Sequence, residues 1–472
     1  MADQVRVRFA PSPTGNMHIG GLRTALFNWL FAQHYSGTFL IRIEDTDRER
    51  SEEKYVSALL DALAWVGIQS DETILFQSQR QDAYHYVVKK LLEEKKAYRC
   101  FCSSEDLEQR VRASGNTDEH YGYDGFCRSL PLDPEEKRLY GIRFALPETI
   151  EEIVVHDIIR GTVVFERNQL DDFIIFRSDG TPMYNFAVVV DDAYSQITHI
   201  IRGEEHLSNT PKQILLYQAC NFLIPQFAHI PMILAPDGSK LSKRYGAVDV
   251  LSYRQSGYLP DALINYIARL GWSYGDQEEF TRQELIQYFS LEGVGKKGAI
   301  FDVQKLEWLN SVYIRKADVQ GILNSISGTE VHDDFDMLQK QYNQKDIQKA
   351  LLLYQSRVKT IVQLVAEVKK IFTKPAMYHQ EDVAQYVHPE TRALLQKTCN
   401  LLQKVEEFSV EVLTKMIKSF CEQESIKLVQ LAQPLRIALT GSSASPGVFE
   451  LLALVGKQES CERIEAFCAM LT

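Results

Sequence analysis

The chain opens on an alternation: Val5, Val7 and Phe9 are apolar against Arg6 and Arg8, the period-two signature of a strand. Pro11, Pro13 and Gly15 then break the pattern. From Leu22 the apolar residues return at helical spacing, with Leu22, Ala25, Leu26, Trp29 and Leu30 on one stripe. The unit predicted is strand, turn, helix. Thr38–Ile43 reads as the next strand, and amphipathic helices are predicted around Glu52–Val66 and Gln81–Lys95. Further on, Ile153–Val155 and Thr162–Phe165 read as short strands joined at Arg160-Gly161. Phe173–Phe176 reads as a buried strand ahead of the turn Ser178-Asp179-Gly180, and Ile197–Ile201 as another strand. After an acidic, loop-like stretch at Ser327–Asp336 the pattern becomes helical. Ile347–Phe372 forms one long amphipathic repeat, and no regular alternation returns, so the C-terminal part is expected to be all-helical.

Composition changes this picture little. The 472 residues suffice for two to four domains, and 45% hydrophobic with 24% charged residues is ordinary for a soluble globular chain. No apolar run approaches a membrane span and the N-terminus lacks a signal-peptide layout, so no membrane partner and a cytoplasmic location are expected. The net charge of −11 argues mildly against nucleic acid, but a basic footprint is local and overall acidity does not exclude it. Eight irregularly spaced cysteines do not form a disulfide framework.

Candidate chemistry concentrates at strand ends and glycine turns. His18-Ile19-Gly20-Gly21 stands at a helix mouth, where backbone N–H groups and the helix dipole favour phosphate. Glycines there admit a nucleotide close to the backbone. Glu44-Asp45-Thr46-Asp47-Arg48 follows the second strand, the end at which open parallel sheets bind ligands. Arg202-Gly203-Glu204-Glu205-His206 follows a later strand, and its arginine suits a carboxylate. Tyr184, taken alone, reads as core. Lys240-Leu241-Ser242-Lys243-Arg244 places three cations on a loop bracketed by Gly238 and Gly246, suited to a leaving pyrophosphate. Cys100-Phe101-Cys102 with Cys127 suggests tetrahedral zinc. The fourth ligand stays open among Tyr123, His120, Tyr121 and the region of Ser129.

HIGG and KLSKR resemble the HIGH and KMSKS signatures of class I aminoacyl-tRNA synthetases. RFAPSPTGNMHIGGLRTALFNWLFA, RIEDTDRER, RSDGTPMYNFAVVVDD, IRGEEHLSNTP, KLSKRYGAVDV, INYIARLGWS, FDVQKLEWLNSVYIR and LAQPLRIALTGSSASPG together resemble the bacterial-type glutamyl-tRNA synthetases over essentially the whole chain. The resemblance implies an α/β class I Rossmann-type catalytic domain in residues 1–97 and 191–239, with an inserted tRNA acceptor-binding segment at 98–190. A KMSKS-type loop and helical stem-contact region would span 240–322, and an all-α anticodon-binding domain 323–472.

It also implies ATP-dependent activation of L-glutamate, with Mg²⁺, and transfer to the terminal adenosine of tRNA(Glu), by a monomer. Glutamate would be held by Arg8, Ala10, Ser12, Glu44, Tyr184 and Arg202. ATP would be held by His18, Gly20, Gly21, Lys240, Ser242 and Lys243; of these, His18, both glycines and both lysines would serve the chemistry. Relatives that bind zinc favour Cys100, Cys102, Tyr123 and Cys127 as a structural site. Arg357 and Arg436 match positions near the anticodon. Val188 replaces a substrate-contacting asparagine of some relatives, and Leu241 the KMSKS methionine. Charging of tRNA(Gln) as well is an alternative scope; a tRNA-modifying or regulatory paralogue is a remoter one.

Overall fold

The computed structural model describes residues 4–46, 52–113, 123–130, 137–241 and 249–471. Ser242, Lys243, Arg244, Gly246, His120, Tyr121, Asp47 and Arg48 lie outside the described residues. The chain divides into two compact units, one of residues 1–251 and 264–303, the other of 252–263 and 304–472.

The first unit is α/β. Its strands are β1 (Arg6–Phe9), β2 (Thr38–Ile43), β3 (Leu75–Phe76), β4 (Ala97–Cys100), β5 (Gly141–Phe144), β6 (Glu152–Asp157), β7 (Gly161–Glu166), β8 (Ile174–Phe176), β9 (His199–Gly203) and β10 (Gln226–Ile230). β1, β2 and β3 are parallel neighbours, and so are β9, β10 and β6, with β7 folding back antiparallel on β6. Thr198, just before β9, donates its amide to the Arg6 carbonyl at 2.9 Å and so brings the two parallel sets together. The helices between them are α1 (Ile19–His34), α2 (Glu53–Trp65), α3 (Gln81–Glu93), α4 (Ser104–Ala113), α5 (Tyr184–Tyr194) and α6 (Thr210–Ala219). β4, β5 and β8 form a separate antiparallel sheet.

Two local differences from the sequence pattern shape the site. The alternation in β1 predicts an exposed arginine face, yet Arg8 is buried along with Val7 and Phe9. A parallel strand covered on both faces has no solvent side, so the arginine enters the interior and must be paired there. Helix α1 begins at Ile19, a turn earlier than the apolar stripe indicates. His18 caps it, its Nδ1 accepting from the Gly21 amide at 3.1 Å. The two glycines therefore sit inside the first turn, and one amide at the helix mouth is already engaged. The stretch after Pro182, which carries no clear periodicity, is helix α5. Its valines, Val188 included, are buried, and Val189 and Val190 join a core with Phe176, Leu215 and Tyr217.

The second unit is helical. Its core gathers Leu351, Leu364, Leu395, Leu413, Leu435 and Phe467 from successive amphipathic helices. The repeat over Ile347–Phe372 is broken into helices Gln344–Tyr354 and Ile361–Phe372. Gln355 turns its amide onto the carbonyls of Ile314 and Ala317 at 2.6 and 2.7 Å. Thr360 then caps the second helix through Gln363. The loop-like Ser327–Asp336 already contains the start of a helix, His332–Gln341, with Asp333 and Asp334 in its first turn, where the dipole favours acids.

Candidate active site

Parallel strands deliver their charged residues to one edge. Arg8 on β1 grips Asp192 of α5 with Nε–Oδ1 at 3.0 Å and Nη2–Oδ2 at 3.2 Å. Arg42 on β2 reaches the same carboxylate at 2.5 Å and Glu44 at 3.2 Å. All four are buried. Burial opposes ionisation of Asp192, but Arg42 and Arg8 outweigh it and hold its carboxyl below the ordinary range. Glu44 goes the other way: burial lifts its carboxyl above the ordinary range despite Arg42 and Arg8. Within this shared network, Asp192 is the anion the arginines satisfy, and Glu44 is left short of cationic partners. The Glu44 amide donates to the Pro11 carbonyl at 2.9 Å, which ties the loop carrying Ala10 and Ser12 to the end of β2. Neighbouring Asp191 extends the network, accepting from Gln77, Arg80 and Tyr84 at 2.8 Å each and lying 4.0 Å from Arg42 Nε.

Tyr184 opens α5 and is 36% exposed, so the core reading of this residue is corrected. A helix start at a sheet edge leaves its ring partly outside. Its hydroxyl lies 3.3 Å from His206 Nδ1. Desolvation raises its pKa, Glu44 adds to the rise, and Arg202, Arg8 and Arg42 oppose it. The tyrosine thus stands in the field of every charged residue the sequence nominates for this pocket.

Arg202, near the end of β9, is buried, and among the described residues no carboxylate forms an ion pair with it. Its Nε donates to His229 Nε2 at 3.1 Å and its Nη2 to Thr210 Oγ1 at 2.9 Å, while Nη1 is buried without a partner. Desolvation lowers its pKa, as does nearby Arg8.

The phosphate-type motifs come together at a second edge. His18 bridges Asp249 in antiparallel fashion, and the Val250 amide donates to the Met17 carbonyl at 2.9 Å. Lys240 pairs as a bridge with Leu234 beyond the tight turn Asp237–Ser239. Both chain ends flanking residues 242–248 are therefore anchored. His18 is exposed at its rim, yet crowding by the protein lowers its pKa, and the Lys240 ammonium lowers it further. A Cβ on Gly20 would stand 3.1 Å from the His18 ring, so that glycine fixes the ring's place. A Cβ on Gly21 would meet nothing nearer than 3.8 Å.

The cysteine cluster also assembles. Cys100, Cys102 and Cys127 place their sulfurs within 4.8 Å of one another. Tyr123 Oη lies 3.7 Å from the sulfurs of both Cys100 and Cys102, and Cys102 Sγ lies 3.3 Å from Cys127 Sγ. Zinc–sulfur bonds of about 2.3 Å in a tetrahedron separate sulfurs by roughly 3.8 Å, so this donor set fits zinc. Burial raises the Cys100 thiol, but hydrogen bonds, led by one from Arg143, more than reverse this. Cys102 is pushed up to about 11 by burial and by Cys127. In the helical unit Arg357 lowers the pKa of Arg436, second only to desolvation, so the two arginines lie within reach of each other's charge.

Asp192, Arg42, His229 and Asp157 belong to this architecture and were not singled out from sequence. Each is a charged or polar residue at or beside an apolar strand or helix run, such as Arg42 in TFLIRI or His229 in FAHI, which is the available signal.

Residues 4–308 match the family described as tRNA synthetases class I (E and Q), catalytic domain, and residues 330–468 match an anticodon binding domain. A glutamate–tRNA ligase of Thermodesulfovibrio yellowstonii is 44% identical over 98% of both chains. One from Citrifermentans bemidjiense is 42% identical over 99% of both. A solved glutamate tRNA ligase from Elizabethkingia meningosepticum, in complex with its amino acid, superposes with a TM-score of 0.89 at 33% identity over the full length of both. A class I α/β catalytic unit followed along the chain by a helical anticodon-type unit, alike over their whole length to such ligases, means that the chain belongs to the glutamate–tRNA ligases of the class I tRNA synthetase family.

Proposed function

We propose that this chain activates L-glutamate with ATP and transfers it to the 3′-terminal adenosine of tRNA(Glu), releasing AMP and pyrophosphate. The observation that supports the assignment of the amino-acid pocket is the buried Arg202 Nη1, a charged donor with no hydrogen-bond partner among the described residues. A substrate side-chain carboxylate completes it; a neutral amide leaves the charge uncompensated, which selects glutamate over glutamine. Arg8 is already gripped by Asp192 and so shapes the pocket wall and its field. Glu44, with its deficit of cations, takes the substrate ammonium, with Tyr184 alongside, while Ala10 and Ser12 line the approach.

The glutamate α-carboxylate then attacks the α-phosphate. His18 and the first turn of α1 at Gly20 and Gly21 receive the nucleotide, Ser242 helps to bind it, and Lys240 and Lys243 neutralise the departing pyrophosphate. Mg²⁺ bound to the triphosphate shares that neutralisation. No side chain acts as nucleophile or general base; positioning and charge compensation supply the rate. The domain assignment follows: an acceptor-binding insertion at 98–190, a stem-contact region at 240–322 and anticodon recognition by 323–472, with Arg357 and Arg436 stacking on or forking to unpaired bases. Cys100, Cys102, Cys127 and Tyr123 hold a zinc ion that closes the insertion structurally. The protein works as a cytoplasmic monomer. Among the described residues no helix is long and apolar enough to cross a membrane.

The test is aminoacylation with labelled glutamate on purified tRNA(Glu) and tRNA(Gln) separately. Charging of the first alone is expected. Charging of both assigns the broader tRNA scope. Charging of neither by folded protein with ATP and Mg²⁺ refutes the ligase reading.

A further inference from the structure

Three adjacent parallel strands each carry, at or next to their last residue, one member of a buried polar chain. β6 supplies Asp157, β10 supplies His229 and β9 supplies Arg202, with His229 and Arg202 directly opposed in register. Asp157 Oδ2 lies 2.6 Å from His229 Nδ1, and neither side chain is exposed to solvent. Asp157 is itself fixed: Oδ1 accepts from the amides of Ile159 and Arg160 at 3.0 and 2.8 Å, and the carboxylate accepts from the His229 amide. A carboxylate has only acceptors to offer, so the imidazole proton sits on Nδ1 and Nε2 presents a lone pair. That lone pair accepts Arg202 Nε–H at 3.1 Å, with Thr210 Oγ1 beside it at 3.2 Å. Two edges of the guanidinium are thus held by neutral acceptors, and the third, Nη1, is left buried and unpartnered.

Arg8 has its charge balanced by Asp192 in two hydrogen bonds. Arg202 is oriented by an imidazole that leaves the charge unspent. An aspartate in place of His229 would hold the arginine equally well but neutralise it. An ordinary buried staple has no reason to prefer the neutral partner.

We infer that Asp157 and His229 are positioning residues for amino-acid selection: Asp157 sets the His229 tautomer, and His229 aims an uncompensated Arg202 at the substrate's side-chain carboxylate. This rests on the reading above that Arg202 receives that carboxylate. Asp157→Asn is the decisive variant. It preserves shape, but the amide can donate to Nδ1 and move the imidazole proton to Nε2, turning a donor onto Arg202 Nε–H.

Steady-state aminoacylation of tRNA(Glu) by the full chain is measured with Asp157→Asn, His229→Asn, His229→Gln and Arg202→Lys. The expected result is a rise of about tenfold or more in KM for glutamate for Asp157→Asn and His229→Asn. KM for ATP should stay within about twofold, as befits a change confined to amino-acid binding. The preference for glutamate over glutamine should shrink, and His229→Gln, whose longer side chain carries its acceptor oxygen to the place of Nε2 where the shorter asparagine does not reach, should recover part of the loss. If Arg202→Lys leaves KM for glutamate unchanged, the Arg202 reading fails and the relay with it. If Arg202→Lys raises it while folded Asp157→Asn and His229→Asn do not, only the relay is overturned. Should the relay variants fail to fold, NMR of wild-type protein carrying isotope-labelled histidine reads the tautomer directly: Nδ1–H supports the proposal and Nε2–H overturns it.

Discussion

Replacing Asp192 by asparagine isolates the charge from the shape at the centre of the first unit. Asp192 accepts from Arg8 at 3.0 and 3.2 Å and from Arg42 at 2.5 Å, with the Tyr217 hydroxyl at 3.5 Å. Its side chain is wholly buried. Hydrogen bonds to charged groups contribute about 1.5–3 kcal/mol each. The amide keeps one acceptor oxygen but turns an NH₂ towards a guanidinium, so one arginine loses its partner inside the protein. Breaking a buried pair in this way costs about 3–5 kcal/mol, which at roughly 2–4 °C per kcal/mol lowers the melting transition of the α/β unit by about 6–20 °C. Calorimetry of the full chain reads this as a shift of one transition, the other holding its place.

The pH dependence supplies a second arm. The folded pKa of Asp192 is depressed, so its contribution is complete above the unfolded carboxylate value of about 3.9 and is lost as pH falls through the folded value. The asparagine variant should lack that acid-limb loss, so the stability gap to wild type closes on acidification. A folded variant with a transition shift under about 2 °C at neutral pH would show that the two arginines do not depend on this carboxylate, and the pocket wall described above would need another support.

Other outcomes follow from neighbouring geometry. Gly20→Ala should lower kcat at least tenfold by displacing the His18 ring, a cost on the order of 1.4 kcal/mol in transition-state binding; an unchanged kcat would mean the ring's position does not matter. Gly21→Ala leaves only ordinary contacts in the free protein, so its melting temperature should hold; if activity nevertheless falls, the loss belongs to nucleotide approach, whereas a fall in stability would contradict the packing. His206 titrates near 4 because burial and Arg202 disfavour its cation. Its unfolded form binds a proton from about pH 6.5 downward, so stability should decline between about pH 6.5 and 4, and His206→Gln should flatten that decline in acid melts. Purified protein should carry about one zinc by elemental analysis. Cys102→Ala should lose the metal and lower the melting temperature, and metal-free wild type with the same melting temperature would refute the site.

The sequence made the strand–turn–helix at Val5–Phe31 and the helical C-terminal part legible because each rests on local periodicity. Residues 52–66 and 81–95 fell close to helices Glu53–Trp65 and Gln81–Glu93 for the same reason. What periodicity could not carry is long-range. Arg8 meets Asp192 across 184 positions and Arg42 meets it across 150, and nothing near either arginine announces the partner. The break within Ile347–Phe372 was hidden likewise, because Gln355 is drawn out of the helix by carbonyls some forty residues earlier. In α5 the run of valines suits a strand or a helix equally, and only burial against Phe176 and Tyr217 decides it. The nominated pocket residues were found through motif identity; the groups that hold them in place, Asp192, Asp157 and His229, required coordinates.

The path of the backbone between the two units carries a consequence for how the protein can be made and cut. The boundary is crossed three times, after 251, after 263 and after 303. Residues 252–263 leave the ribosome well before the rest of their own unit. Gly257, at φ +79°, waits for the Ile361 amide that its carbonyl accepts at 2.9 Å, in a fit so close that a Cβ would stand 2.6 Å from the Val362 amide. No single protease nick or stop codon can release either unit whole. A shortened descendant keeping only the α/β part would have to discard or re-cover that twelve-residue excursion, so the two halves are spliced together by topology and inherited as one.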